Sequence, residues 1–248
     1  MVEEGDQERA VRVVEQYLRE NPSFIAAGRG FPGVRTYSGI YAALFLLVVY
    51  AAIAFEDEGL FFARQYGASA SRIVTGELWR AVTALALHVD VVHVAGNMVG
   101  IALFGTAVCH MAGYGVGWAM IVASGFAGNL CNAFLYRSDH VSVGASTAVF
   151  GAIGILGGYR AWQGRRGRLR GLRAWVPVAG GMALLGVLGS GARSDLTAHL
   201  FGWLVGMAVG VGYGILERPP LSARYQAASV CVVIAVLFLA FASPFLSA

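Results

Sequence analysis

Long apolar stretches without charged residues alternate with charged connections along most of this chain. Six windows contain no Asp, Glu, Lys or Arg: residues 36–55, 91–136, 140–159, 174–192, 196–216 and 225–248. A membrane-spanning helix needs about 20 mostly apolar residues, and the second window can hold two, with a break at Ala112-Gly113-Tyr114-Gly115. The pattern predicts seven transmembrane helices, spans 1 to 7, in an all-α polytopic membrane protein.

The overall composition agrees with this pattern. Hydrophobic residues make up 57% of the 248 residues and charged residues only 13%, and the mean hydropathy is +0.65. Because about a quarter of a soluble domain is charged, the composition excludes an ordinary soluble protein. The three cysteines lie in apolar windows, which favours buried free thiols over disulfides or metal ligands: Cys109, Cys131 and Cys231.

Arginine is distributed unevenly between alternate connections. If the N-terminus is cytoplasmic, the connections on that side carry Glu217 as their only acid, whereas those on the opposite side mix arginine with several acids. This asymmetry predicts a cytoplasmic N-terminus and an external C-terminus. Topology also explains the arginine cluster at 160–173, so we do not expect nucleic-acid binding. The residues on the cytoplasmic side are Arg29, Arg35, Arg160, Arg165, Arg166, Arg168, Arg170, Arg173, Arg218 and Arg224.

The spans divide the chain into three regions. Residues 1–37 form a cytoplasmic N-terminal segment with a predicted short amphipathic helix at 6–20. Residues 38–216 form a six-helix core, and 217–248 a linker and the seventh span. The longest connection, Glu56–Asp90, is rich in aromatic residues and is expected to be functional or to have structure of its own.

Four polar residues fall at one predicted depth in the membrane. Ser146 begins span 4, His199 lies near the start of span 6, and His93 and Asn97 lie on one face near the start of span 2. Even-numbered spans all run inward, so these side chains share the outer level. Polar groups at membrane depth are candidates for function, and here Ser146 and His199 are each other's obvious partner.

Small residues on spans 4 and 6 predict that these two helices touch. Glycines recur every four residues on the face of span 6 that carries His199, and span 4 has glycines below Ser146. Rows of small residues allow two helix backbones to approach closely in lipid. Close packing would bring the Ser146 hydroxyl toward the His199 ring. The glycines concerned are Gly202, Gly206, Gly210 and Gly214 on span 6, and Gly151, Gly154 and Gly158 on span 4.

This set of residues suits nucleophilic catalysis. A serine hydroxyl becomes a good nucleophile when an adjacent base takes its proton, and His199 is suited to that task near neutral pH. His93, Asn97 and the Ser146 backbone amide are candidate donors to a tetrahedral oxyanion. Asp195, one turn before His199, is interpreted as a helix cap together with Ser194.

The other histidines predict no metal site. His88 and His93 are five residues apart and therefore do not share a helix face, and no cysteine or acid completes a ligand set. His110 and His140 lie at the ends of loops and are expected to be solvated. We therefore expect no metal and no cofactor.

The chain resembles the rhomboid intramembrane serine proteases. The resemblance covers about residues 38–216, with motifs in the family's order and on the expected helices. The matching residues are Glu77-Leu78-Trp79-Arg80, His88, His93-Val94-Ala95-Gly96-Asn97, Gly144-Ala145-Ser146, His199-Leu200-Phe201-Gly202 and Gly206.

The resemblance implies a fold, a reaction and a substrate class. It implies six core helices plus one, a dyad of Ser146 as nucleophile and His199 as base, and His93 and Asn97 as oxyanion donors. It also implies an endopeptidase of a bacterial inner membrane, or an equivalent one, that cuts single-span membrane proteins in or near the outer end of their helix. It indicates no oligomeric state. Residues in supporting roles are Gly144, Phe150, Trp79, Arg80, Gly202 and Gly206.

Two departures from the family pattern bear on activity. Thr147 replaces the second glycine of the serine motif and is expected to narrow the substrate slot. Phe150 stands where the family often has tyrosine, which keeps a stacking surface under the imidazole but loses the hydroxyl. Two alternatives stay open: a weak or inactive relative that binds client helices, and a small transporter, which should carry polar residues throughout the membrane depth.

Overall fold

The computed structural model describes residues 13, 15–16, 37–55, 59–138, 140–167, 176–189, 195–216 and 221–246. The helices and strands from residue 37 onward belong to one compact unit, Thr36–Ala248. The predicted amphipathic helix at 6–20 and Ser194 lie outside the described residues, except for the three isolated positions at 13, 15 and 16.

The described part of the chain is almost entirely helical. In chain order the elements are α1 (Ser38–Phe55), α2 (Gly59–Tyr66), β1 (Ala68–Ser69), α3 (Ala70–Val74), α4 (Arg80–Thr83), a 3₁₀ turn (Ala84–Ala86), α5 (Val91–Ala112, with one π-helical turn at Ile101–Gly105), α6 (Tyr114–Tyr136), β2 (Val141–Ser142), α7 (Ser146–Arg165), α8 (Val176–Gly189), α9 (Leu196–Leu216) and α10 (Ala223–Leu246).

Five of these helices are long and apolar enough to cross a membrane: α1, α5, α6, α9 and α10. Helix α7 has 20 residues and ends among arginines, and α8 has 14 described residues. The predicted all-α polytopic class is therefore confirmed, while the count of seven spans stays a prediction. All three cysteines are free, but the prediction that all are buried is wrong: Cys109 is buried, whereas Cys131 and Cys231 are exposed.

The predicted break inside the second apolar window is confirmed. Helix α5 ends at Ala112, Gly113 takes a positive φ of 89°, and α6 begins at Tyr114. The turn also receives a side chain from α10, because the buried Gln226 amide accepts hydrogen bonds from the Gly115 and Val116 amides (2.8 and 2.9 Å). Its Nε2 donates to the Ala112 carbonyl at 3.1 Å. Gln226 therefore fastens the last helix to the turn between α5 and α6.

Replacing Gln226 with alanine is expected to lower the free energy of unfolding by about 1–3 kcal/mol for each backbone amide left buried without an acceptor. Thermal unfolding in detergent measures the loss. Ser229→Ala is the control on the same helix, because the Ser229 hydroxyl bonds only the Tyr225 carbonyl of its own helix. Equal losses in the two variants would contradict the fastening role.

Helices α7 and α9 touch along their backbones. A Cβ atom at Gly202, Gly206 or Gly210 would overlap the carbonyl oxygens of Thr147, Gly151 and Ile155, respectively. Both series advance by four residues in the same direction, so the two helices run parallel. The close approach predicted for spans 4 and 6 is therefore confirmed, and it places α7, most of which is buried, at the centre of the bundle.

The long connection between α1 and α5 has structure of its own, as expected. It holds three short helices and a strand, and β1 pairs antiparallel with β2 through Ala68 opposite Ser142. The Gly144 amide donates to the Ala84 carbonyl at 2.9 Å. The connection is thus joined directly to the segment that leads into α7.

Candidate functional site

Ser146 is the first residue of α7, and the backbone conformation two residues before it favours glycine. Gly144 has a φ of +130°, in the region that favours glycine. A Cβ atom there would lie 2.6 Å from His93 Nε2 and 3.4 Å from Ser146 Oγ. The glycine thus leaves room for the His93 ring of α5 beside the Ser146 hydroxyl.

His199 lies in the first turn of α9, buried against α7. Its ring stacks on that of Phe150, with centroids 4.7 Å apart and an angle of 23° between the ring planes. The contact of Gly202 with Thr147 turns the face of α9 that carries His199 toward α7. Phe150 follows Ser146 by one helical turn. The structure therefore brings the predicted base onto the face of α7 directly below the predicted nucleophile.

Asn97 supplies an unpaired donor on the third helix of the site. It is 6% exposed, and its Nδ2 has no hydrogen-bond partner among the described residues. One turn further on, Gly100 contacts Val149 of α7 and thereby turns this face of α5 toward α7. Leaving a buried donor unsatisfied costs about 1–3 kcal/mol, so the amide is suited to an acceptor that arrives with a ligand.

The backbone amide of Ser146 adds a further donor. Amides in the first turn of a helix have no partner within the helix, and they lie at the positive end of its dipole. The Ser146 hydroxyl and this amide therefore occupy the end of α7 where negative charge is best stabilised.

Arg80 is the buried centre of the connection before α5. Its side chain is 1% exposed, and its Nε donates to Glu77 at 2.5 Å. Its Nη1 donates to the carbonyls of Arg64 and Gly67 at 3.1 and 3.3 Å, and its guanidinium lies 4.5 Å from the centre of the Trp79 ring. These contacts hold the connection together but touch none of Ser146, His199, His93 or Asn97 directly.

His88 has a role that the sequence pattern does not reveal. The Ala145 amide donates to His88 Nε2 at 3.4 Å, and the ring lies 5.0 Å from that of His93. Burial, aided by the neighbouring His93, lowers the pKa of His88 to about 4, so the ring is neutral at pH 7 and can accept. The only sequence signal for His88 is that it belongs to the residues matching the rhomboid pattern, and this match does not reveal its contact with Ala145.

The Thr147 side chain is buried between helices and does not face a substrate slot. Its side chain is 2% exposed, and its Cγ2 contacts the positions where Gly128 of α6 and Gly202 of α9 would carry a Cβ. The expectation that it narrows a substrate slot is wrong, because the two glycines make room for it between three helices. This departure from the family pattern is accommodated by packing.

Of two titratable groups near α9, one agrees with expectation and one does not. Asp195 does cap this helix, since its Oδ1 accepts from the Ala198 amide at 3.0 Å. His140, expected to be solvated, instead pairs with Asp195 at 2.6 Å. In the part of the chain that is described, no three His, Cys, Asp or Glu side chains are grouped closely enough to hold a metal ion.

A match to a known protein family covers the part of the chain that holds these residues. Residues 75–215, more than half of the chain, match the family model of the rhomboid domain. The chain belongs to the rhomboid family. As a rhomboid with apolar helices of spanning length, it is an integral protein of a lipid bilayer.

Several curated relatives are similar over most of this rhomboid. It is 31% identical to rhomboid protease GluP of Bacillus subtilis (strain 168) over 68% of this chain and 32% of that protein. It is 30% identical to Rhomboid-like protease 1 of Toxoplasma gondii over 66% of this chain and 57% of that protein. RHOMBOID-like protein 5 of Arabidopsis thaliana is 29% identical over 63% of this chain and 50% of that protein. The alignments thus span about a third to somewhat over half of each relative's length.

Proposed function

We propose that this rhomboid is an intramembrane serine endopeptidase that uses Ser146 and His199 as a catalytic dyad. The observation that carries the proposal is the convergence of three helices on Ser146. Helix α9 stacks His199 on Phe150, one turn below Ser146. Helix α5 places the His93 ring beside the Ser146 hydroxyl, and the unpaired Asn97 amide lies one turn further along α5. Two of the relatives are named rhomboid proteases or rhomboid-like proteases, which supports the same reaction.

The chemistry follows from these positions. His199 takes the Ser146 proton as the hydroxyl oxygen attacks the carbonyl carbon of the scissile peptide bond. The negative charge that develops on the carbonyl oxygen is stabilised by His93, Asn97 and the Ser146 amide. The C–N bond then breaks, and His199 gives its proton to the departing amine. A water molecule then attacks the acyl carbon while His199 takes its proton, the bond from the acyl carbon to Ser146 Oγ breaks, and His199 gives the proton to that oxygen. No metal and no cofactor takes part.

The substrates we propose are single-span membrane proteins, cut in or near the outer end of their helix. Three of the four side chains of the site belong to helix starts or first turns, and Asn97 lies one turn further along α5: Ser146 is the first residue of α7, His93 the third of α5, and His199 the fourth of α9. All these starts lie at one end of the bundle. The arginine pattern supports placing that end outside a bacterial inner membrane, with the N-terminus in the cytoplasm.

Labelling with a fluorophosphonate probe tests the proposal. The purified protein should be labelled and should cleave a generic single-span substrate, and Ser146→Ala should abolish both. Ser124→Ala is the matched control, because Ser124 is a buried serine whose hydroxyl donates to the Met120 carbonyl of its own helix. Absence of labelling in folded protein, together with cleavage that survives Ser146→Ala, would rule the mechanism out.

Asn97→Ala is expected to lower kcat by roughly 10²–10³-fold with little change in KM, as for loss of an oxyanion donor. Its thermal midpoint should be unchanged or higher, because the variant removes a buried amide that has no partner among the described residues.

Asn129→Ala is the contrasting variant. Asn129 Nδ2 donates to the Ala81 carbonyl at 2.9 Å, so its loss should lower the midpoint and leave kcat intact below it. Steady-state cleavage and thermal unfolding of both variants separate the two roles. A change in KM alone would remove Asn97 from the oxyanion site.

A further inference from the structure

Asp195 joins three separate parts of the chain at the end of α9 that carries His199. Its carboxylate accepts from Asn132 Nδ2 of α6 at 2.8 Å and pairs with His140 Nε2, from the connection before β2, at 2.6 Å. It also accepts from the Thr197 hydroxyl at 2.9 Å and the Ala198 amide at 3.0 Å, both in the first turn of α9.

The surrounding side chains reinforce this junction. The Thr197 hydroxyl lies 2.7 Å from Asn132 Oδ1 and 3.2 Å from the Tyr136 hydroxyl. The Tyr136 ring stacks on His140 with centroids 4.0 Å apart. Asn132, His140 and Thr197 are therefore each held by a second contact, so the junction is a connected network.

The charge on Asp195 suits its place. Burial alone would raise the pKa of this carboxyl, but hydrogen bonds from His140, the Ala198 amide, Ser142 and Thr197 together outweigh burial and lower it. The group is therefore ionised at neutral pH. An anion at the N-terminus of a helix is stabilised by the unpaired amides and by the dipole.

Asp195 does not have the geometry of a third triad member. Its two oxygens already accept at least four hydrogen bonds, about as many as the lone pairs of a carboxylate allow. Asp195 also contacts His199 through the backbone, since the Asp195 carbonyl accepts a hydrogen bond from the His199 amide at 3.1 Å. Asp195 can therefore act on catalysis through the position of α9.

The network reaches the nucleophile as well. His140 immediately precedes β2, and the segment after β2 contains Gly144 and leads directly into Ser146. We infer that Asp195 is a positioning residue that ties this segment and α6 to the first turn of α9 and so sets the spacing between Ser146 and His199. The inference rests on the proposed function.

The test compares Asp195→Ala and Asp195→Asn with the wild type, using the full chain in detergent well below each thermal midpoint. The readouts are the rate of fluorophosphonate labelling at Ser146 and the kcat and KM for a single-span substrate. Small misplacement of reacting groups can cost on the order of 100-fold in rate. We expect Asp195→Ala to lower kcat and the labelling rate together by about 10–100-fold, with KM within about twofold. Asp195→Asn, which keeps an acceptor for the Ala198 amide, should recover part of the loss.

Gln226→Ala is the control for a merely structural effect. It removes three hydrogen bonds at the opposite end of the bundle, between α10 and the α5–α6 turn, and should leave both rates unchanged. Wild-type rates in Asp195→Ala, a loss confined to KM, or an equal loss in Gln226→Ala would each overturn the inference. If Asp195→Ala does not fold, Asp195→Asn decides by the same criteria.

The labelling of the wild type separates this inference from the proposed function. A folded wild type that the probe does not label overturns the proposed function as well. A labelled wild type with unaffected Asp195 variants overturns this inference alone.

Discussion

His199→Ala is expected to lower kcat by roughly 10³–10⁶-fold, the range seen when a serine hydrolase loses its base. Without the imidazole, the variant lacks the group proposed to take the Ser146 proton and return it to the leaving amine. The residual rate would come from the donors of His93, Asn97 and the Ser146 amide. The free energy of unfolding should fall modestly, because the lost stacking on Phe150 is worth about 0.5–1.5 kcal/mol beyond simple burial. Steady-state cleavage and thermal unfolding measure the two effects.

The proposed dyad also predicts that the effects of the two substitutions are not additive. Residues that act as a unit lose nearly the whole effect at the first substitution, so Ser146→Ala combined with His199→Ala should be no slower than Ser146→Ala alone. His110→Ala is the matched control, since His110 is an exposed histidine of α5. If His199→Ala keeps more than a tenth of the wild-type activity, His199 is not the base.

The sequence predicts the helices and their contacts well because lipid imposes strict rules. Backbone amides in a bilayer must be satisfied within helices, so charge-free windows predict the helices, and Gly113 predicts the break between α5 and α6. The four-residue glycine period on α9 correctly predicts its contact with α7, since only small residues let two backbones meet. These signals are local or periodic, and they can be read without knowing any distant partner.

The candidate site is predictable in its main residues but not in its supports. Ser146 and His199 stand out because polar groups are costly at membrane depth. The bond from the Ala145 amide to His88, and the pairing of His140 with Asp195, join segments that are 57 and 55 residues apart, and no periodicity encodes them. The prediction for Thr147 fails for the same reason, because the space for its methyl group comes from Gly128 on another helix.

Gly206→Ala is expected to lower both the stability and the activity of the protein, although it adds only one methyl group. The added Cβ would overlap the Gly151 carbonyl oxygen, which is backbone and cannot rotate away, so α7 and α9 must separate. Overpacking of this kind costs about 1–3 kcal/mol. Separation would also loosen the flanking contacts of Gly202 with Thr147 and of Gly210 with Ile155.

The same displacement should reach the proposed dyad, because Gly206 lies two turns from His199 on α9. We expect kcat to fall by on the order of 100-fold even at temperatures where the variant is folded. Gly212→Ala is the matched control on α9, since a Cβ there meets no atom within 4 Å. Alanine favours a helix over glycine by about 0.5–1 kcal/mol, so this control should be as stable as the wild type or more so. Equal midpoints and equal rates for the two variants would mean that contact between α7 and α9 does not set the geometry of Ser146 and His199.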